Sequence, residues 1–183
     1  MAAIENPELW AFLTSLQRGE MLSGTVAAVE QFGVFVDLDD GPDHPVYPGV
    51  GFITIPEVSW RRFEAASDIV RVGQRVSCEF LQFDTRNGEA RLSLRSTQPD
   101  PFQVFADGVA VGQTLVGRVT KLVPFGAFVL VAEGIEGLVH SADPAGPQQA
   151  VGQVGDQVRV VVTEIDRMGR RLALAVLRFR SRG

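Results

Sequence analysis

The sequence predicts an all-β protein of two tandem five-stranded barrels behind a short N-terminal helix. Three observations carry that expectation. A pattern of glycines and aromatics occurs twice: Gly19, Gly24, Val26, Phe32, Gly33, Phe35 and Val36, then Gly112, Gly117, Val119, Phe125, Gly126, Phe128 and Val129, each shifted by 93. A fixed-period match of this kind means two copies of one fold. The hydrophobic period from Met21 onward is two, and turn residues recur at short intervals, as short antiparallel strands require. The length of 183 residues then divides into two units of roughly 75 residues, a size at which a domain can fold alone.

The helix comes first. Asn6-Pro7-Glu8 supplies a cap, a proline at the first helical position and an acid in the first turn. Leu9, Phe12, Leu13 and Leu16 then fall on one stripe, which predicts a helix lying as a lid on the first barrel, with a docking helix for a partner protein as the alternative. Strands follow at about 21–30, 33–39, 50–54, 74–84 and 90–95, and again at about 114–123, 126–133, 136–140, 156–166 and 170–177. Five strands with glycine at the bends and a longer connection after the third are the layout of an OB-fold barrel. The predicted organisation is a helix in 1–18, a barrel in 19–96, a linker in 97–111, a barrel in 112–177 and a basic tail in 178–183. Ser96-Thr-Gln-Pro-Asp-Pro101 is a linker by composition, and Phe102-Gln-Val-Phe-Ala106 is a candidate helical turn.

Composition narrows the function classes. No apolar run approaches the ~20 residues that span a bilayer, and no signal peptide opens the chain, so a cytoplasmic protein without membrane contact is expected. A monomer is the expected state. Cys78 sits in the apolar run Val76-Ser-Cys-Glu-Phe80 and reads as a buried strand residue. One cysteine and two histidines cannot build a structural zinc site, so no metal or cofactor is expected. There is no phosphate-binding glycine loop, nucleophile elbow or convergent carboxylate pair, which argues against an enzyme. The net charge of −5 is unevenly spread. Residues 19–96 hold 12 acidic and 7 basic groups, and residues 112–183 hold 6 acidic and 9 basic groups. Such asymmetry points to divided roles.

The repeats also differ in their loops. The first has 7 extra residues before its third strand, in the acidic, proline-rich segment Asp39-Asp40-Gly-Pro-Asp43-His44-Pro-Val-Tyr47-Pro48. It reads as a solvated surface loop, with Val46 and Tyr47 leaving a protein contact open.

In the second strand of each repeat, Val34, Val36 and Leu38, or Ala127, Val129 and Val131, share one face. That aliphatic face is the core, so Phe35 and Phe128 point away from it. Phe32 and Phe125 stand at the adjoining bend, where they either extend a base-stacking platform or plug the barrel end. Stacking on such a platform is worth roughly 1–3 kcal/mol per base.

Both repeats resemble the S1-type RNA-binding domain, the OB-fold module repeated in the bacterial ribosomal protein of that name. Val119-Thr-Lys-Leu-Val-Pro-Phe-Gly-Ala-Phe128 and Glu133-Gly-Ile-Glu-Gly-Leu-Val-His140 carry the resemblance most closely. It implies an RNA surface of two aromatics, a histidine after the third strand, and an aspartate and a basic residue about the last hairpin. In the second repeat these are Phe125, Phe128, His140, Asp166 and Arg170, with Arg167 at the rim. Gly169, in the turn Asp166-Arg-Met-Gly-Arg170, is read as the positive-φ residue of that hairpin. Members of the family usually form a helical turn after the histidine; Pro144, Gly146 and Pro147 argue against one here.

The first repeat departs from the pattern. Thr54 replaces the histidine, and aligning Arg91-Leu-Ser-Leu94 with Arg171-Leu-Ala-Leu174 puts Ala90 opposite Arg170, in a hairpin two residues longer. Phe32, Phe35 and Asp84 remain as a weaker surface, with Arg86 as a partial substitute for the lost cation. The expected function is non-catalytic binding of single-stranded RNA by the second repeat, in translation or RNA metabolism. The first repeat is then a protein-docking or accessory module. The rival is an adaptor docking on the ribosome or RNA polymerase through the acidic first barrel.

Overall fold

The computed structural model describes residues 5–141 and 146–177. The chain forms two compact units, Met1–Asp100 and Pro101–Gly183. The basic tail expected at 178–183 lies outside the described residues.

Helix α1 (Pro7–Ser15) begins where its cap predicts, with Asn6 Oδ1 accepting the Leu9 N–H at 3.3 Å. A helix of this length is marginal alone. It is held because Leu9 and Leu13 are fully buried in the core of the first barrel, with Phe12 and Leu16 packed against that core.

Strands β1 (Met21–Glu30), β2 (Gly33–Leu38), β3 (Gly51–Thr54), β4 (Arg75–Asp84) and β5 (Glu89–Ser93) close into a barrel in the order β1-β2-β3-β5-β4. Neighbours are antiparallel except β3 and β5, which run parallel. Val26, Val34, Val36, Ile53 and Leu92 fill the interior, and Val58, Ala66 and Val70 from the connection before β4 complete its core. Gly24 and its counterpart Gly117 lie where the bent first strand crosses the second. A Cβ at Gly24 would strike the Asp37 carbonyl oxygen, and one at Gly117 would strike Val129. Cys78 is fully buried, and burial pushes its thiol up to about 12.

The second unit opens with α2 (Pro101–Asp107), inside the stretch expected to be linker. Phe102 and Ala106 of this helix belong to the second core, so the segment is part of the domain and not a spacer. Strands β6 (Thr114–Val123), β7 (Gly126–Ala132), β8 (Ile135–His140), β9 (Gln157–Asp166) and β10 (Arg171–Val176) close in the order β10-β8-β7-β6-β9. A short helix α3 (Gln148–Val151) follows Pro147 and buries Val151, contrary to the expectation of no helix after His140. Proline is tolerated there because it stands at the cap, where its missing N–H costs no helical bond.

Candidate nucleic-acid interface

The outer wall of the second barrel is a single cross-strand row. Lys121 on β6 pairs with Phe128, Phe128 with Leu138, Leu138 with Ala173, and Ala173 with Glu164. Their neighbours along the strands, Ala127, Val129, Val139, Leu172 and Leu174, are buried. Strand alternation therefore directs Phe128 outward.

A cleft of about 610 Å³ opens over this row. Phe125, Phe128 and His140 line one side, and Asp166, Arg170 and Arg171 line the hairpin side. Leu138, Leu172 and Ala173 floor it, and Glu136 and Glu164 add two carboxylates. Phe125 is 54% exposed, and its ring centroid lies 6.4 Å from that of His140. The backbone explains that pairing, since Gly126 sits opposite His140 in the ladder and Ser141 donates its N–H to the Phe125 carbonyl. Thus five residues named from the sequence, Phe125, Phe128, His140, Asp166 and Arg170, meet in one cleft. Arg171 and the flanking Lys121 were missed.

Arg167 is placed differently from expectation. Its guanidinium pairs with Asp107 of α2 at 2.8 Å, and Gln103 donates to its carbonyl at 3.0 Å. It fastens the hairpin to α2 and does not line the cleft.

The hairpin itself corrects the sequence alignment. Asp84 pairs with Glu89 and Asp166 with Arg171, so the two turns are equal in length. Phe52 pairs with Arg91 where Leu138 pairs with Ala173. Gly88, not Ala90, therefore stands where Arg170 does; Glu89 replaces Arg171, and Arg91 replaces Ala173. The positive φ falls on this fourth turn residue, +67° at Gly88 and +54° at Arg170. A Cβ at Gly169 would meet the Asp166 carboxylate, whose Oδ1 accepts the Gly169 N–H at 3.0 Å, but the first barrel places Asn87 at the equivalent position with the same bond to Asp84, so glycine is not required there. Arg86 occupies the place of Met168 at the exposed tip of the turn and does not replace Arg170.

The same wall in the first barrel is filled. Phe35 does point away from the barrel core, but it is only 5% exposed, which overturns its expected exposure. Tyr47 stacks on it with ring centroids 5.3 Å apart and planes at 21°. Phe52 packs against Phe35 at 5.0 Å with planes at 56°, and Phe32 remains exposed beside them. Arg91 lies over the Phe52 ring at 4.9 Å and bonds Asp84 at 2.8 Å. That hydrogen bond, helped by the Arg86 and Asn87 backbone N–H groups, holds the Asp84 carboxyl below the usual range despite its partial burial. The insertion supplying Tyr47 is solvated at Asp39, Asp40, Asp43, Pro45, Val46 and Pro48, as expected, but it is anchored by His44, which is buried.

Among the described residues, no group of three or more His, Cys, Asp or Glu side chains could hold a metal ion. No described helix is long and apolar enough to cross a membrane.

Two closed five-stranded barrels, one bearing an open aromatic wall edged by arginine, define a tandem module of the OB type. The pattern of the S1 RNA binding domain matches residues 15–95 and 109–177, and the chain belongs to that family. It is 44% identical over 170 residues to the small ribosomal subunit protein bS1 of Mycolicibacterium smegmatis, covering 90% of this chain and 34% of that protein. The corresponding protein of Leuconostoc lactis is 35% identical over 92% of this chain and 38% of its own length. That of Neisseria meningitidis serogroup B is 34% identical over 91% of this chain and 29% of its own length. The chain thus spans about a third of the length of these curated relatives.

Proposed function

We propose that this chain is a non-catalytic, cytoplasmic binder of single-stranded RNA acting in translation, and that the second barrel carries the binding. The observation that supports this reading is the cleft that gathers Phe125, Phe128, His140, Arg170 and Arg171 on one wall. Unpaired bases stack on Phe128 and Phe125, whose exposed faces accept any base. Arg170 and Arg171 at the hairpin edge neutralise phosphates, while His140 stacks or donates at the opposite end. A duplex cannot use this wall because its bases are already stacked on one another. Relatives named as small ribosomal subunit proteins support a place in translation.

The test is a fluorescence titration of the full chain with a short unstructured oligoribonucleotide, using the same sequence as a duplex for comparison. Salt-sensitive binding of the single strand, and much weaker binding of the duplex, are expected. Equal binding of both would refute stacking as the mode of recognition.

A further inference from the structure

The first barrel retains the aromatic wall, yet something sits on it. Phe32, Phe35 and Phe52 form a continuous aromatic cluster, with centroid separations of 6.0, 5.9 and 5.0 Å. Tyr47 lies on Phe35 nearly parallel, the offset geometry that aromatic pairs favour and that a base would adopt. In the second barrel the corresponding ring, Phe128, faces an open cleft.

Tyr47 is held there by a built support. The His44 ring backs it at 4.8 Å. His44 Nδ1 accepts the N–H groups of Val46 and Tyr47 at 3.1 and 3.0 Å, so the ring proton is on Nε2, which donates to the Asn87 carbonyl at 2.9 Å. The loop is thereby tied across the wall to the β4–β5 turn. Its base is fixed as well, because a Cβ at Gly49 would overlap the Val36 carbonyl.

We propose that the 39–48 insertion is an internal occupant of a latent nucleotide-stacking site: Tyr47 takes the place of a base on Phe35 and keeps unpaired RNA off the first barrel. The site it covers would take an unpaired nucleobase, with Arg91 as the cation nearest the wall. The division of labour between the barrels then follows from this cover, together with Gly88 and Glu89 standing in the places of Arg170 and Arg171, and not from loss of the aromatic platform. The inference rests on the reading of the homologous wall of the second barrel as a stacking surface.

The test uses the full chain with the second wall disabled by Phe128→Ala and Arg170→Ala. In that background Tyr47→Ala should tighten binding of a labelled 12-nucleotide unstructured RNA at least tenfold at low salt. Adding Phe35→Leu, which keeps the site apolar but removes the ring, should abolish the gain. Should Tyr47→Ala fail to unfold cooperatively, Tyr47→Val removes the stacked ring while keeping a small apolar contact for the loop, and should still give a gain that Phe35→Leu removes. A folded Tyr47 variant with no gain, or a gain indifferent to Phe35, would overturn the proposal. Undiminished binding by the background itself would instead count against the role of the second wall, and the Phe35-dependence of the Tyr47 effect would still decide this one.

Discussion

Gly88 and Arg170 occupy the same position in hairpins of equal length, and both adopt positive φ, +67° and +54°. Glycine does so freely, whereas an arginine in the left-handed region costs roughly 1–2 kcal/mol. The second barrel therefore tolerates local strain at the residue that brings a guanidinium to the cleft. Strain held at one place is a pointer to function.

Arg170→Gly should consequently separate stability from binding. The variant relieves the strain but gains unfolded-state freedom and loses the guanidinium that lies 5.7 Å over the Phe102 ring, so we expect its stability to change by less than about 1 kcal/mol. RNA affinity should fall at the same time. Denaturant unfolding and RNA titration on the same sample check both; a strongly destabilised variant that binds normally would contradict the argument.

The two central phenylalanines should respond oppositely. Phe128→Ala removes an outward stacking surface and should weaken RNA binding roughly 5- to 150-fold, the range that corresponds to one stacked base. Phe35→Ala removes a buried ring with three aromatic neighbours, so it should destabilise the first barrel by about 3 kcal/mol. It should leave affinity nearly unchanged while the second barrel is intact.

Glu89 gives the first barrel a pH signature. It is 4% exposed, and its Oε2 has no hydrogen-bond partner. Burial raises its pKa, Arg91 opposes that shift, and Asp84 adds to it. A raised folded-state pKa means the folded form holds the proton after the unfolded form has lost it. Stability should therefore fall as pH rises from about 4.5 through the raised folded value. Glu89→Gln should remove that fall and be more stable than the parent at pH 7, read from thermal melts across pH.

Cys78 offers a probe of the same barrel. With its thiol buried and pushed up to about 12, it should resist thiol reagents at neutral pH. Labelling should appear only as the first barrel opens. Leu13→Ala, which deletes a fully buried contact from α1, should accelerate it by lowering stability about 2–5 kcal/mol.

Much of this architecture was legible in the chain because glycines, aromatics and period-two patterning recur at fixed spacing. The Asn6 cap, the strand positions and the outward phase of Phe128 follow from that. Register in the last hairpin was not legible. Arg91-Leu-Ser-Leu and Arg171-Leu-Ala-Leu look equivalent, and a two-residue slip keeps every side chain on its own face, so patterning cannot detect it. Only the ladder, in which Arg91 meets Phe52 and Ala173 meets Leu138, shows that a long cation fills one wall and a methyl group leaves the other open. The cover over Phe35 was hidden for a different reason. An acidic, proline-rich loop reads as solvated, although His44 and Tyr47, three residues apart, were the available signal. Arg167 was misplaced because its partner Asp107 ends a helix that was read only as a helical turn at 102–106 within the expected 97–111 linker, with nothing to tie it to the last hairpin.

The most direct measurement is the RNA affinity of the intact chain beside that of Phe128→Ala with Arg170→Ala, taken across a range of salt concentrations. The account predicts that the intact chain binds with a log–log salt slope of roughly −1.4, as two neutralised phosphates on a single strand require. The double variant should lose most of that affinity and show a shallower slope. Equal affinities and equal slopes for the two proteins would contradict it.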